Sequence, residues 1–284
     1  EKQKDGAARQ RLRRLISPFL LRRTKQQVLQ DLPPRTEIVH LVQPSAEEKA
    51  FLEALRRNAQ EAVSAAAKAG QPAPMQVLAE LMRLRRAACD PRLVTPGLNW
   101  VGAKVQAFAE LATELVANGH KALVFSQFVD FLQILRAPLD AAGIRYQYLD
   151  GATPAAERSK RVAAFQAGDA DLFLISLKAG GVGLNLTAAD TVIHVDPWWN
   201  PAVESQATDR AHRIGQDKPV FVYKLVIEGS IEDRIQTLQQ RKSALADAVL
   251  GHDTEQASKF SLDELNGLLA PLEDPQASHV FGAL

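Results

Sequence analysis

Two patterns of apolar spacing divide this 284-residue chain, and the change between them falls near Lys104. Before it, helical spacing dominates. Ser45-Ala46-Glu47-Glu48 has the form of a capping box and predicts a helix to about Lys68. Gly70-Gln71-Pro72-Ala73-Pro74 interrupts, and Met75 to Ala88 resumes with Leu78, Leu81, Met82 and Arg85 on one stripe until Asp90-Pro91 stops it. A β-branched run over residues 36–43 precedes these helices and predicts a strand.

After Lys104, short apolar runs alternate with helical stretches, the signature of a parallel sheet with crossover helices. Five runs mark strands: Ala122–Ser126, Arg145–Leu149, Asp171–Ser176, Thr191–Val195 and Val220–Val226. Gly119, Gly143 and Gly168 stand where helices end in a left-handed cap. Thr153-Pro154 and Asn200-Pro201 each pair a capping side chain with a first-turn proline. A long charged helix is predicted from Ser230 to Leu250, then a short one capped by Ser261 and Glu264, with fraying over residues 270–284. The fold class is α/β.

Composition adds limits more than direction. With 46% apolar residues the chain can bury a large core. No apolar run approaches the roughly 18 residues of a membrane span and the first residues are charged, so the expectation is a cytoplasmic protein with no membrane partner. The single cysteine, Cys89, allows no internal disulfide and no thiolate cluster. Net charge is +1, so no global basic field advertises nucleic acid. Arg9, Arg11, Arg13, Arg14, Arg22, Arg23 and Lys25 nevertheless follow one another with no acid between them, and Pro33-Pro34 closes that segment. A solvated helix face accounts for such a run as well as a partner does.

Ligands of a doubly wound sheet collect outside the carboxyl ends of its strands, so the loops after Ser126, Leu149, Ser176 and Val195 should share one edge. They carry Gln127, then Asp150-Gly151-Ala152-Thr153, then Lys178-Ala179-Gly180-Gly181-Val182-Gly183-Leu184-Asn185, then Asp196-Pro197-Trp198-Trp199-Asn200-Pro201. Bare backbone N–H groups beside a lysine suit an anionic oxygen, although three glycines in a turn also serve backbone geometry alone. A dinucleotide fingerprint is excluded, because Leu186 stands where its third glycine belongs. These 284 residues contain no Gly-Lys dipeptide of a P-loop, no His-x-x-x-His spacing and no Gly-x-Ser-x-Gly elbow.

Gln206-Ala207-Thr208-Asp209-Arg210-Ala211-His212-Arg213-Ile214-Gly215-Gln216 follows the Pro201 helix start. If the stretch is helical, Gln206, Arg210 and Arg213 present an amide and two guanidiniums on one face, which suits the charge of a transferring γ-phosphoryl group. An exposed Asp209–Arg213 pair would explain the spacing too, at only about 0.3–0.5 kcal/mol. His212 reads as a packing or hydrogen-bonding residue.

Together these stretches resemble the second RecA-like lobe of the SWI/SNF-related ATPases of helicase superfamily two. The likeness runs over roughly residues 15–250. It is carried by Pro18–Lys25 with Leu32-Pro33-Pro34, by Leu84–Pro91, by Lys121–Phe128 as motif IV and by Leu149–Thr153 with Arg158. Lys178–Leu186 stands as motif V, followed by Asp196–Pro201 and by Gln206–Gln216 as motif VI. The resemblance implies a double-stranded DNA translocase with ATP and Mg held mainly by an N-terminal RecA-like lobe of the same protein. Arg210 and Arg213 would be arginine fingers, with Gly183, Asn185 and Gln206 lining the nucleotide cleft. Ser126, Gln127, Gly151, Thr153, Lys178, Ala179 and Gly180 would meet DNA phosphates, with Trp199 beside them or merely packed. The implied organisation is a basic interlobe linker over 1–35, a strand plus helical protrusion over 36–95, the RecA-like lobe over 96–227 and a C-terminal brace helix and tail over 228–284. With no Walker A or B motif in these residues, the stretch alone is expected not to turn over ATP. A non-catalytic RecA-like module that binds DNA or protein is the alternative.

Overall fold

A computed structural model describes residues 32–69, 73–179, 183–250 and 262–270, with side chains at 67, 73, 241–250, 262 and 263 left aside. The basic stretch 9–25, Gly180 to Val182, Ser261 and residues 271–284 lie outside the described residues.

Six strands form one sheet in the order β1-β6-β5-β2-β4-β3, with every adjacent pair parallel. They are β1 (Arg35–Val42), β2 (Ala122–Ser126), β3 (Tyr146–Leu149), β4 (Leu172–Ser176), β5 (Thr191–His194) and β6 (Val220–Ile227). The helices are α1 (Ala46–Lys68), α2 (Ala73–Cys89), α3 (Ala103–Ala117), α4 (Val129–Ala141), α5 (Ala155–Ala167), α6 (Pro201–Thr208), α7 (Ile231–Leu250) and α8 (Leu262–Leu269). All six runs expected to be strands are strands, with ends within a residue or so of their expected bounds. The first of them is hydrogen-bonded along its length to β6, from Arg35 beside Val220 to Val42 beside Ile227.

The apolar strands are unbroken because both faces of the sheet are covered. On one face Ala122, Val124, Leu174 and Ile193 meet Phe108 and Leu111 of α3 and Phe131 and Leu135 of α4. On the other, Leu123, Phe125, Phe173 and Val192 meet Phe165 of α5 and Ala207 of α6. A third core joins α1 and α2 to the starts of α7 and to α8, through Leu55, Val77, Leu81, Leu84, Ile231, Ile235 and Leu268. On α2 the buried stripe is therefore Val77, Leu81, Leu84 and Ala88, while Leu78, expected inside, is 38% exposed.

The caps locate the loops. Gly119, Gly143 and Gly168 take positive φ at helix ends, as their positions imply. Asn200 caps α6 by accepting from Ala202 N–H at 3.1 Å, with Pro201 in the first turn. Ser45 Oγ accepts from Glu48 N–H at 3.1 Å, but Glu48 does not return the bond. Its carboxylate instead takes Ala103 N–H at the head of α3, 2.9 Å away. Thr153 departs from expectation as well. The residue flanking α5 is Pro154, with no side-chain cap, because the Thr153 hydroxyl is engaged by Asp150, whose N–H it accepts at 3.1 Å.

Candidate functional site

Parallel strands put every strand's carboxyl end on one edge, and the loops singled out by sequence meet there. Leu177 N–H donates to Ser126 O at 2.8 Å and Val195 N–H to Phe125 O at 3.1 Å, which carries the ladders of β4 and β5 into their loops. Gln127 N–H points at both carboxylate oxygens of Asp196, at 3.2 and 3.1 Å. The loops after β2 and β5 are thereby tied together. Asp196 is fully buried, and that burial pushes its carboxyl up to about 7 against the pull of Arg85 and a hydrogen bond from Ser126.

Arg85 comes from α2 and is wholly buried beneath this edge. It donates to Pro197 O at 2.9 Å, lies 4.0 Å from Asp196, and stacks over Trp198 at 5.0 Å and Trp199 at 5.4 Å. No site role was expected of it. The signal was present, since an arginine on the apolar stripe of a helix is a buried cation in search of carbonyls and aromatic faces. Glu204 was missed too. This buried residue of α6 accepts Trp198 N–H at 2.6 Å and pairs with Lys224 at 2.9 Å.

Of the positions expected to face DNA, Ser126 and Ala179 are buried, and Ser126 Oγ accepts Phe128 N–H at 2.9 Å. Their backbones line the edge while their side chains pack. Gly151 and Lys178 are exposed and Gln127 is half-buried. Thr153 is buried in a turn that Arg158 closes, with Nε on Thr153 O at 2.9 Å and Nη2 on Asp150 O at 3.3 Å. A Cβ built on Gly151 would meet nothing within 4 Å, so this glycine leaves open space above the turn. Trp199 is half-buried and packs against the third core. Gly180 lies outside the described residues.

The stretch from Gln206 to Gln216 is not one helix. α6 ends at Thr208, and the chain turns through Asp209 to Gly215. The ladder first tightens, with Arg210 N–H on Ala207 O and Ala211 N–H on Thr208 O, and the carbonyls that follow are taken from elsewhere in the chain. Leu186 N–H takes Arg210 O at 3.1 Å, and Gln216 Nε2 takes Ala211 O at 3.1 Å along with Thr187 O and Ala189 O. Those carbonyls would otherwise accept from residues four further on. Gln206, Arg210 and Arg213 therefore do not share a helical face. Gln206 and Arg213 are exposed, as are Gly183 and Asn185.

Arg210 is only 7% exposed and lies over the Phe125 ring at 5.9 Å. Its Nε and Nη1 are buried without a hydrogen-bond partner, and burial pushes its pKa downward. Among the described residues no carboxylate is paired with it. A cation so placed is costly until an anion arrives.

The chain matches the profile of the helicase conserved C-terminal domain over residues 103–215 and that of the SNF2-related domain over residues 1–93. A Bacillus subtilis protein provisionally named as an ATP-dependent helicase/translocase is 36% identical over 280 residues, covering 95% of this chain and 30% of that protein. The human SWI/SNF-related matrix-associated actin-dependent regulator of chromatin subfamily A member 1 is 33% identical over 291 residues, 96% of this chain and 27% of its own. The chain thus spans about a third or less of these relatives. Among solved structures, the C-terminal domain of the Sulfolobus solfataricus SWI2/SNF2 ATPase is 26% identical with a TM-score of 0.64, covering 82% of this chain and 97% of that one. The ATPase core of the same organism, in complex with double-stranded DNA, is 30% identical with a TM-score of 0.66 over 92% of this chain and 56% of that one. By sequence and by fold, this chain belongs to the SNF2-related ATPases of helicase superfamily two, as their C-terminal RecA-like lobe.

Proposed function

We propose that this lobe serves an ATP-dependent double-stranded DNA translocase, gripping DNA phosphates at its sheet edge and presenting Arg210 and Arg213 to ATP bound by a P-loop lobe of the same protein. The observation that carries the reading is the buried guanidinium of Arg210, paired with no carboxylate among the described residues. A phosphoryl oxygen supplies what its orphaned N–H groups lack, and their charge is worth most where charge develops during transfer. Arg213, exposed on the same turn, can reach a partner outside the lobe. Gly183, Asn185 and Gln206 are exposed around that turn and would line the cleft. ATP and Mg would be held mainly by the P-loop lobe.

On the DNA side, Lys178 supplies charge, while the open space at Gly151 allows close approach of a phosphate. Such contacts carry no sequence information. Closure around ATP brings the arginines into place, and release after hydrolysis shifts the grip along the strand.

The test uses the full-length protein. Duplex-stimulated ATP hydrolysis should fall about 10³-fold or more in Arg210→Ala and in Arg213→Ala, with duplex affinity retained. Equal loss of DNA binding would sink the division of labour. A full-length protein that binds duplex and hydrolyses nothing would make this a RecA-like binding module instead.

A further inference from the structure

Beyond Thr208 the arginine turn has no helical ladder to orient it. Its backbone bonds are short-range ones: Arg210 N–H to Ala207 O, Ala211 and His212 N–H to Thr208 O, and Arg213 N–H to Ala211 O. Something else must fix the direction of two guanidiniums. Two of the fastenings lie within the lobe, namely Leu186 N–H on Arg210 O and the Gln216 amide on three carbonyls.

The third reaches outside it. His212, between the two arginines, has Nε2 2.8 Å from Pro33 O, a residue 179 positions earlier in the chain. A carbonyl oxygen only accepts, so Nε2 carries the proton and donates. Pro34 O accepts in turn from Val220 N–H at 3.0 Å, which seats the pair of prolines at the head of β6. Two successive prolines fix their own φ and hold the residue before them extended, so Pro33 O is a stiff point on the entering chain.

We infer that His212 is a positioning residue, setting the arginine turn by the path of the chain that enters the lobe at Leu32-Pro33-Pro34. The inference rests on the proposed function. Displacement of the entering chain pulls on His212 and, with it, on residues to either side. A shift of about 1 Å is enough to cost a transferring site some 10²-fold.

The full-length protein tests this with paired variants. His212→Phe keeps a ring and removes the donor, and His212→Gln restores an N–H at similar reach. Expected is a fall in kcat of about 10- to 100-fold in His212→Phe, with KM for ATP, duplex affinity and melting temperature held, and recovery of most of it in His212→Gln. Pro33→Gly keeps the carbonyl but frees its direction; it should lower kcat similarly, and the double variant should fall no further than either single one. It also supplies the same readout should His212→Phe fail to fold. Parental kcat in His212→Phe or in Pro33→Gly, or equal falls in the Phe and Gln variants, overturns the inference. Full turnover in Arg210→Ala would instead remove the proposed function beneath it.

Discussion

His194 and Asp196 leave the end of β5 two residues apart, and burial acts on them in opposite senses. Burial pushes the His194 imidazole down to about 4 from its ordinary 6.5, beside Thr208 Oγ1 at 3.1 Å and stacked on Phe125. The same burial pushes Asp196 up to about 7 from 3.8. Between about pH 4 and 6.5 the unfolded chain holds a proton on histidine that the folded chain lacks, so the His194 contribution rises with pH. Over nearly the same window the folded chain keeps a proton on Asp196 that the unfolded one has lost, so that contribution falls. Each slope is about 1.4 kcal/mol per pH unit, and they offset. Relative to the parent, Asp196→Asn should therefore gain stability as pH rises from 4 to 6.5, and His194→Gln should lose it. Urea unfolding of residues 1–284 at several pH values reads both, and parallel profiles for all three proteins would remove the opposed titration.

Elements were legible where the signal was local. Four glycine and proline punctuations, the two helices before Asp90 and all six strands follow from period and caps, because those forces act within a few residues. What tertiary partners decide stayed hidden. Nothing local in Gln206–Gln216 says that α6 stops at Thr208 or that Leu186 and Gln216 will take the carbonyls of Arg210 and Ala211 beyond it. The candidate site was legible as a set of loops on one edge, but not in its supports, since Arg85, Glu204 and His212 act through residues distant in sequence or through backbone atoms. Lys104 and Glu232 show the same limit. Lys104 Nζ in the first turn of α3 lies 2.6 and 2.5 Å from the two carboxylate oxygens of Glu232 at the head of α7, and both side chains are buried. By sequence Glu232 reads only as an acid complementing a helix start. Removing one partner leaves a buried charge alone, so Lys104→Met should cost about 3–5 kcal/mol of unfolding free energy. Adding Glu232→Gln, which keeps an acceptor for Ile227 N–H and removes the charge, should recover most of it. A double variant no more stable than Lys104→Met would show that the pair does not work as an ion pair.

For the whole molecule, 34 basic residues stand against 33 acidic ones, and a net charge of +1 gives duplex DNA little long-range attraction. In the proposed function, what the described part of this lobe contributes to affinity comes from the few groups that the fold brings to one edge. Parallel strands collect those loops, the Gln127 to Asp196 bonds tie two of them together, and Arg85 anchors them to the α1 and α2 layer through Pro197 and both tryptophans. The edge is therefore held as one surface and not as separate loops. Among the described residues proposed to meet DNA, Lys178 is the one cation, and the open turn at Gly151 adds room without charge. Neutral donors hold a phosphate without replacing its counterions, whereas a lysine replaces about one. Lys178, exposed at the end of β4, should then carry a disproportionate share of the salt dependence. In Lys178→Ala, the slope of log affinity against log salt should become shallower by about 0.9, the value of a single phosphate contact on duplex. The loss should be similar for duplexes of unrelated sequence, because a phosphate contact reads none. Titrations at several salt concentrations separate the outcomes. A slope unchanged from the parent would take Lys178 off the phosphates, even if affinity at one salt concentration had dropped.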